Sequence, residues 1–203
     1  MWTEEQIIEY LKKNLRKSRL EHSLSVRDTA VKLAEIYGGD IEKAKIAGLV
    51  HDCAKYIKDE EMLNICEKYG YNIDEVSRNF PNILHGHAGA YIANNVMGIE
   101  DKDVLNAIAY HTTGRKNMSL LEKIIYIADY IEPLRDFNGV EEIRKIVYDG
   151  KLHEALIMSF NNTIKYILDR NALLHKDTID ARNYMLYTID RWKKWVRIEK
   201  VNF

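Results

Sequence analysis

Apolar residues recur every three or four positions along most of the chain, the spacing that gathers them on one face of an α-helix. Val26 and Ala30, for example, follow His22 on one face of the segment 18–39. No segment shows the alternation of apolar and polar residues that is typical of a half-buried strand. The pattern therefore predicts an all-α protein built as a bundle of helices.

Capping residues predict where several helices begin. Thr3 with Gln6, and Ser18 with Glu21, have the spacing of a capping box, and Asp40 can cap the helix that carries "IEKAKIAGLVHDCAKY". Further helices are predicted near residues 59–69, 83–97, 101–112, 119–131, 140–148, 151–169 and 178–197.

Length and composition favour one globular domain. The 203 residues are 46% hydrophobic and 30% charged, so a single domain over residues 1–203 is expected. Its C-terminal helix, about 178–197, contains Trp192 and Trp195, which are expected to pack on the body or on a second copy of the chain. A homodimer is therefore left open.

Charge and cysteine content limit the partners. The formal net charge of −1 gives no general affinity for nucleic acid. Cys53 and Cys66 are too few for a disulfide framework and fit a cytoplasmic location. The acidic N-terminal segment lacks the apolar core of a signal peptide, and no apolar run approaches the ~18 residues of a membrane span. Neither a nucleic-acid nor a membrane partner is expected.

Six histidine and aspartate residues stand in or beside apolar segments, where a charge needs a partner. The apolar part of "AGLVHDCAKY" runs directly into His51 and Asp52, and Asp129 interrupts "LEKIIYIADYIEP". The remaining members are His22, His85 and His111. Each alone has an ordinary explanation in the core. Together, four imidazoles and two carboxylates suit iron, manganese or another divalent transition metal better than calcium or structural zinc.

The other three histidines carry less information. His153 and His175 lie in amphipathic or polar segments and are expected to stay outside the chemistry. His87 is two residues from His85, so the two side chains point in different directions on a helix, and the role of His87 is left open. Gly86 and Gly89 can allow close approach of a neighbouring backbone or a substrate.

At this point the motifs resemble a known family. His22, the His51–Asp52 pair and Asp129 resemble the metal-binding pattern of the HD-domain phosphohydrolases. The segments "RLEHSLSV", "AGLVHDCAKY", "LHGHAGA" and "HTTGRKNMSLLEKIIYIADYIEPLRDF" resemble successive motifs of the YqeK-type members, the symmetrical bis(5′-nucleosyl)-tetraphosphatases. The resemblance runs over about residues 16–170 and implies an HD-domain helical bundle.

The resemblance also implies two metal ions, with iron as the first choice. One ion would be held by His22, His51, Asp52 and Asp129, and a second by His85 and His111, with Asp52 bridging the two. The implied reaction splits diadenosine tetraphosphate into two molecules of ADP. A hydroxide held between two metals can attack an inner phosphorus of the substrate.

A dinucleoside polyphosphate needs cations beside the metals. Lys55, one helical turn after His51, is expected to act in catalysis. Contacts to the substrate are expected from Thr112, Thr113, Arg115, Lys116 and Arg135, although Arg115 and Lys116 could equally belong to a solvated loop. The competing hypotheses are a di-iron HD-type oxygenase, a hydrolase of another nucleotide, and a nucleotide-binding regulator with a vestigial site.

Overall fold

A computed structural model describes the backbone of residues 1–199 and the side chains of residues 1–188. This part of the chain is helical and contains no strand, so the all-α prediction is confirmed. The helices are α1 (Glu4–Asn14), α2 (Lys17–Tyr37), α3 (Ile41–Val50), α4 (Asp59–Lys68), α5 (Glu75–Asn79), α6 (His85–Asn95), α7 (Lys102–Ala109), α8 (Leu120–Ile131), α9 (Val140–Tyr148), α10 (Leu152–Asp169) and α11 (Lys176–Glu199), with a 3-10 turn at Pro81–Leu84 before α6.

Local chemistry sets most of the helix starts. Thr3 and Gln6 form the predicted capping box of α1, and the Asp40 carboxylate accepts a hydrogen bond from the backbone N–H of Lys43 at 3.0 Å. The predicted box of Ser18 and Glu21 is wrong: α2 begins at Lys17, and Arg16 occupies its N-cap without a side-chain hydrogen bond. The backbone N–H groups of Arg19 and Leu20 donate to the Arg16 carbonyl, so Ser18 already lies inside the first turn of α2 and cannot cap it.

Helices α2, α3, α6, α7 and α8 pack around one apolar core, and the residues of the site lie on these helices or directly after them. Glycine permits two of the closest contacts. A Cβ atom on Gly48 of α3 would lie 2.9 Å from the Cα atom of Arg27 on α2. A Cβ atom on Gly86 would lie 2.5 Å from the carbonyl oxygen of Ala109, so Gly86 serves the packing of α6 against α7. Gly89 likewise contacts the Ile108 side chain rather than a cavity.

The C-terminal part of the chain covers one side of this core. Helices α10 and α11 pack against each other, and α10 also contacts α8. Helix α11 begins two residues before the predicted start at 178, and the side chains of Trp192 and Trp195 lie outside the described residues. No helix within the described residues combines the length and the apolar character needed to cross a bilayer.

Candidate metal centre

Six polar side chains from five parts of the fold converge inside the bundle. Helix α2 supplies His22, the residues just after α3 supply His51 and Asp52, and α6 begins with His85. His111 follows α7, and Asp129 lies in the last turn of α8. All of them except Asp129 are buried, and each lies within 4 Å of another member. These six residues are called the His/Asp cluster below.

Hydrogen bonds to backbone carbonyls fix the orientation of three imidazoles. In each case Nδ1 lies close to the carbonyl oxygen of the residue three positions earlier. The pairs are His51 with Gly48 at 2.7 Å, His85 with Asn82 at 2.6 Å, and His111 with Ile108 at 2.7 Å. A carbonyl oxygen only accepts hydrogen bonds, so Nδ1 carries the ring proton and Nε2 keeps its lone pair. This is the usual arrangement of a metal-binding histidine.

The fourth imidazole lies between two carboxylates. His22 Nδ1 is 3.0 Å from Glu132 Oε1, and His22 Nε2 is 3.0 Å from Asp129 Oδ1. Burial opposes protonation of His22, but both carboxylates favour it, and the net effect raises its pKa. A cation held by Asp129 would displace the Nε2 proton, because a metal ligand must be deprotonated.

Acceptor atoms face one another across the cluster. His85 Nε2 and His111 Nε2 are 2.9 Å apart, and Asp52 Oδ1 lies 3.1 Å and 3.6 Å from them. On the other side, His51 Nε2 is 3.3 Å from His22 Nε2, and Asp52 Oδ2 is 3.6 Å from both. Asp52 therefore turns one oxygen toward each histidine pair. Converging lone pairs and anionic oxygens need a cation between them, so the donor set fits a metal centre.

Electrostatics keep these groups ready to bind a cation at neutral pH. Burial lowers the pKa of His51 and of His85 to about 4, so both imidazoles stay neutral. Burial opposes ionisation of Asp52 and Asp129, but the surrounding imidazoles, together with Arg135 at Asp129, hold both pKa values below the ordinary range. Ligand atoms of two groups, His22–His51–Asp129 and His51–Asp52–His111, lie within 4.8 Å of one another.

A cavity of about 840 Å³ opens onto the His/Asp cluster. Three cationic side chains line it beside the cluster. Arg19 Nη1 is 2.8 Å from Asp52 Oδ2, Lys55 Nζ is 3.2 Å from His85 Nδ1, and the Arg135 guanidinium binds both the Oδ1 atom and the backbone carbonyl of Asp129. Burial lowers the pKa of Lys55. The cavity therefore combines a buried cluster of acceptors with cations that suit an anionic ligand.

The segment after His111 departs from the predicted substrate contacts. Thr112 lines the cavity, with its hydroxyl 3.2 Å from His85 Nε2. Thr113 instead donates to the Gly114 carbonyl, and Arg115 pairs through two nitrogens with the buried carboxylate of Glu122. Lys116 lies over the Tyr184 ring, 6.0 Å from its centre. The structure therefore brings only Thr112 of this segment to the cavity.

The remaining histidines lie outside the cluster. His87 stacks on Tyr71 with ring centres 3.7 Å apart, and burial lowers its pKa to about 3. His175 Nε2 is 3.3 Å from Asp74 Oδ2, and its Nδ1 accepts the Asp177 backbone N–H at 3.2 Å. His153 is exposed on α10.

Sequence reasoning missed two groups that contact the cluster. Arg19 precedes His22 by three residues on α2, and Glu132 follows Asp129 by three residues at the end of α8. Residues three apart on a helix share a face, so this spacing was the available signal. Glu132 is buried and also accepts the backbone N–H of Leu134 at 2.7 Å, which fixes it against His22.

Comparisons with known proteins identify the family of this chain. A model of the HD domain family matches residues 19–134. A Bacillus subtilis protein named "Bis(5'-nucleosyl)-tetraphosphatase, symmetrical" is 40% identical over 90% of this chain and 97% of its own length. A Staphylococcus aureus protein of the same name is 42% identical over 90% of this chain and 94% of its own length.

A solved structure gives the same fold. It is a Clostridium acetobutylicum protein described as a predicted HD superfamily hydrolase involved in NAD metabolism. The two chains are 55% identical, with a TM-score of 0.90 over 93% of this chain and 99% of that one. The chain therefore belongs to the HD domain family and, within it, to the family of the symmetrical bis(5′-nucleosyl)-tetraphosphatases.

Proposed function

We propose that this protein is a metal-dependent hydrolase that splits diadenosine tetraphosphate into two molecules of ADP. The observation that carries the proposal is the pairing of two convergent acceptor groups, which share Asp52, with a cavity lined by cations. The relatives named symmetrical bis(5′-nucleosyl)-tetraphosphatases support this choice of substrate.

The six residues of the His/Asp cluster are proposed to hold two divalent ions, iron first and manganese or another transition metal as alternatives. His22, His51 and Asp129 would hold one ion, His85 and His111 the other, and Asp52 both. Two such ions, when bound, acidify water to a hydroxide nucleophile and polarise the phosphoryl group under attack. The chain's own part is to keep the Nε2 lone pairs and the carboxylates pointed at the ions.

The cations beside the cluster are proposed to bind the tetraphosphate chain. Arg19, Lys55 and Arg135 each lie against a cluster residue, so a phosphate group that reaches the cluster also reaches them. Lys55 would stabilise the negative charge that develops on the phosphoryl oxygens, and the Thr112 hydroxyl can donate a hydrogen bond to the same group. Symmetrical cleavage follows if these groups hold an inner phosphorus at the cluster.

Product analysis tests this proposal. The metal-loaded protein should convert diadenosine tetraphosphate to ADP alone, and in ¹⁸O-labelled water the label should enter the terminal phosphate of only one of the two ADP molecules. Formation of ATP with AMP would overturn the proposed position of attack. Oxygen consumption without cleavage of the tetraphosphate would favour the di-iron oxygenase. Hydrolysis of NAD⁺ but not of the tetraphosphate would favour a hydrolase of another nucleotide.

Substitution of Arg135 tests the cationic part of the site. Arg135→Lys keeps the charge but loses the planar fork that now engages both the side chain and the backbone of Asp129. We expect kcat for diadenosine tetraphosphate to fall by about tenfold or more. The matched control is Arg78→Lys, an exposed arginine paired with Glu67, which should leave kcat unchanged. Equal rates in the two variants would remove Arg135 from the mechanism.

A further inference from the structure

The cavity has a second side that the phosphate chemistry does not use. Four tyrosine or phenylalanine side chains line it, and one of them, Tyr126, is buried. The other three, Tyr130, Phe137 and Tyr166, are called the aromatic wall below. Phe137 is 38% exposed and Tyr166 is 57% exposed, although large aromatic side chains usually bury most of their surface. Exposed aromatic rings inside a cavity are a typical platform for a planar ligand.

The aromatic wall is continuous with the His/Asp cluster. Tyr130 follows Asp129 directly on α8, and Phe137 lies two residues beyond Arg135. The rings of Tyr130 and Phe137 meet edge to face, with centres 5.1 Å apart. A ligand that places a phosphate beside Arg135 therefore has an aromatic surface within reach of its next group.

Helix α10 completes this side of the cavity. Asn162, Tyr166 and Asp169 are spaced by four and three residues, so they lie on one face of the helix, and all three line the cavity. The guanidinium of Arg170 lies over the Tyr166 ring, 3.7 Å from its centre. This face of α10 therefore presents an aromatic ring to the cavity between two polar side chains.

We propose that the aromatic wall is the nucleoside subsite of the enzyme, where the purine base of one half of the dinucleoside tetraphosphate stacks. The inference rests on the proposed function, because it takes the ligand to be a nucleotide. Phosphates of that half extend toward Arg135 and the His/Asp cluster, and the base lies on Phe137 and Tyr166. Stacking on an aromatic ring tolerates either purine, since every base has a π-face.

Calorimetric titration of the metal-loaded protein with ADP and with inorganic pyrophosphate tests this subsite. ADP carries a base and pyrophosphate does not, so the wall should matter to ADP alone. In Phe137→Ala and in Tyr166→Ala, we expect the Kd for ADP to rise about tenfold or more, with the Kd for pyrophosphate within twofold of wild type. Phe137→Leu keeps an apolar side chain of similar size without a π-face and should show the same selective loss.

Phe80→Ala is the matched control, because Phe80 is also exposed but does not line the cavity. It should change neither affinity. Unchanged ADP affinity in all three wall variants would overturn the subsite, as would an equal loss of ADP and pyrophosphate binding. The subsite would also be overturned if the wild-type protein bound ADP no more tightly than pyrophosphate.

The test of the nucleoside subsite and the test of the cleavage reaction can fail independently. Selective loss of ADP affinity in a protein that does not cleave diadenosine tetraphosphate would keep the subsite and reject the reaction. Symmetrical cleavage with wild-type ADP affinity in the wall variants would keep the reaction and reject the subsite.

Discussion

Two groups of buried histidines in this protein use the same residue type in different ways. In the His/Asp cluster, the Nε2 atoms of His85 and His111 face each other at 2.9 Å. In the other group, His175 divides its two ring nitrogens between Asp74 and the backbone of Asp177, and His87 stacks on Tyr71. Burial alone does not mark a candidate metal centre; the direction of the ring nitrogens does.

The backbone explains the difference. In His51, His85 and His111, Nδ1–H donates a hydrogen bond to the backbone carbonyl three residues earlier. Nε2 therefore keeps its lone pair and points into the cluster. His175 instead accepts a backbone N–H at Nδ1, so its proton lies on Nε2 and is directed at Asp74. The same side chain is placed as a candidate metal ligand in one setting and as a hydrogen-bond donor in the other.

The largest effect is expected from Asp52, which faces both histidine pairs. Asp52→Asn should remove bound metal and lower the hydrolysis rate by more than about a hundredfold, since even loss of a group that only orients a metal ligand costs roughly 10- to 100-fold. Elemental analysis and product chromatography measure the two quantities. Asp177→Asn, made beside His175 in the other histidine group, is the matched control and should retain both.

A smaller effect is expected from Glu132, which orients His22 without facing the cluster itself. Glu132→Gln keeps the shape but weakens the acceptor at His22 Nδ1, so metal affinity should fall by about 10- to 100-fold. Competition with a chelator of known affinity measures this change. Wild-type affinity in Glu132→Gln would show that His22 does not need this carboxylate as a partner.

The smallest effect is expected from His87, and it concerns stability rather than chemistry. Burial lowers the pKa of His87 to about 3 from an ordinary 6.5. The unfolded chain therefore binds the proton more readily, and the free energy of unfolding falls as the pH drops from about 6.5 toward 3. His87→Phe should lessen this fall by up to about 1.4 kcal/mol per pH unit while leaving metal content unchanged.

Urea unfolding of wild type and His87→Phe at pH 7 and pH 5 measures that difference. Comparing the variant with wild type at each pH cancels contributions from the His/Asp cluster, which both proteins share. Identical pH dependence in the two proteins would show that His87 is not buried in a neutral form. Loss of metal in His87→Phe would show that His87 supports metal binding and does not belong to a separate histidine group.

Much of the fold could be predicted from the sequence, because helices show a regular spacing of apolar residues and recognisable capping residues. The start of α2 could not, since Ser18 and Glu21 have the spacing of a capping box, whereas the helix already begins at Lys17 with Arg16 as its N-cap. The short helix α5, five residues long, was also missed because one turn and a half cannot show a period.

The metal candidates could be predicted because imidazoles and carboxylates are conspicuous beside apolar residues. For Arg115, the sequence left a substrate contact and a solvated loop open, and the structure pairs it with Glu122, because a cation after His111 gives the same sequence pattern in each case. The face of α10 was missed for a related reason. Polar and aromatic residues on an amphipathic helix give the same pattern whether they face solvent or a cavity.

The stoichiometry of bound divalent metal tests the account most directly. Wild-type protein, loaded and freed of excess ion, should hold two ions per chain. His111→Ala should hold one ion with unchanged helical circular dichroism, because His111 belongs to only one side of Asp52, and the control His153→Ala should hold two. A wild-type protein with a single ion, or a His111→Ala variant that keeps two, would contradict the two-ion centre that the facing imidazoles imply.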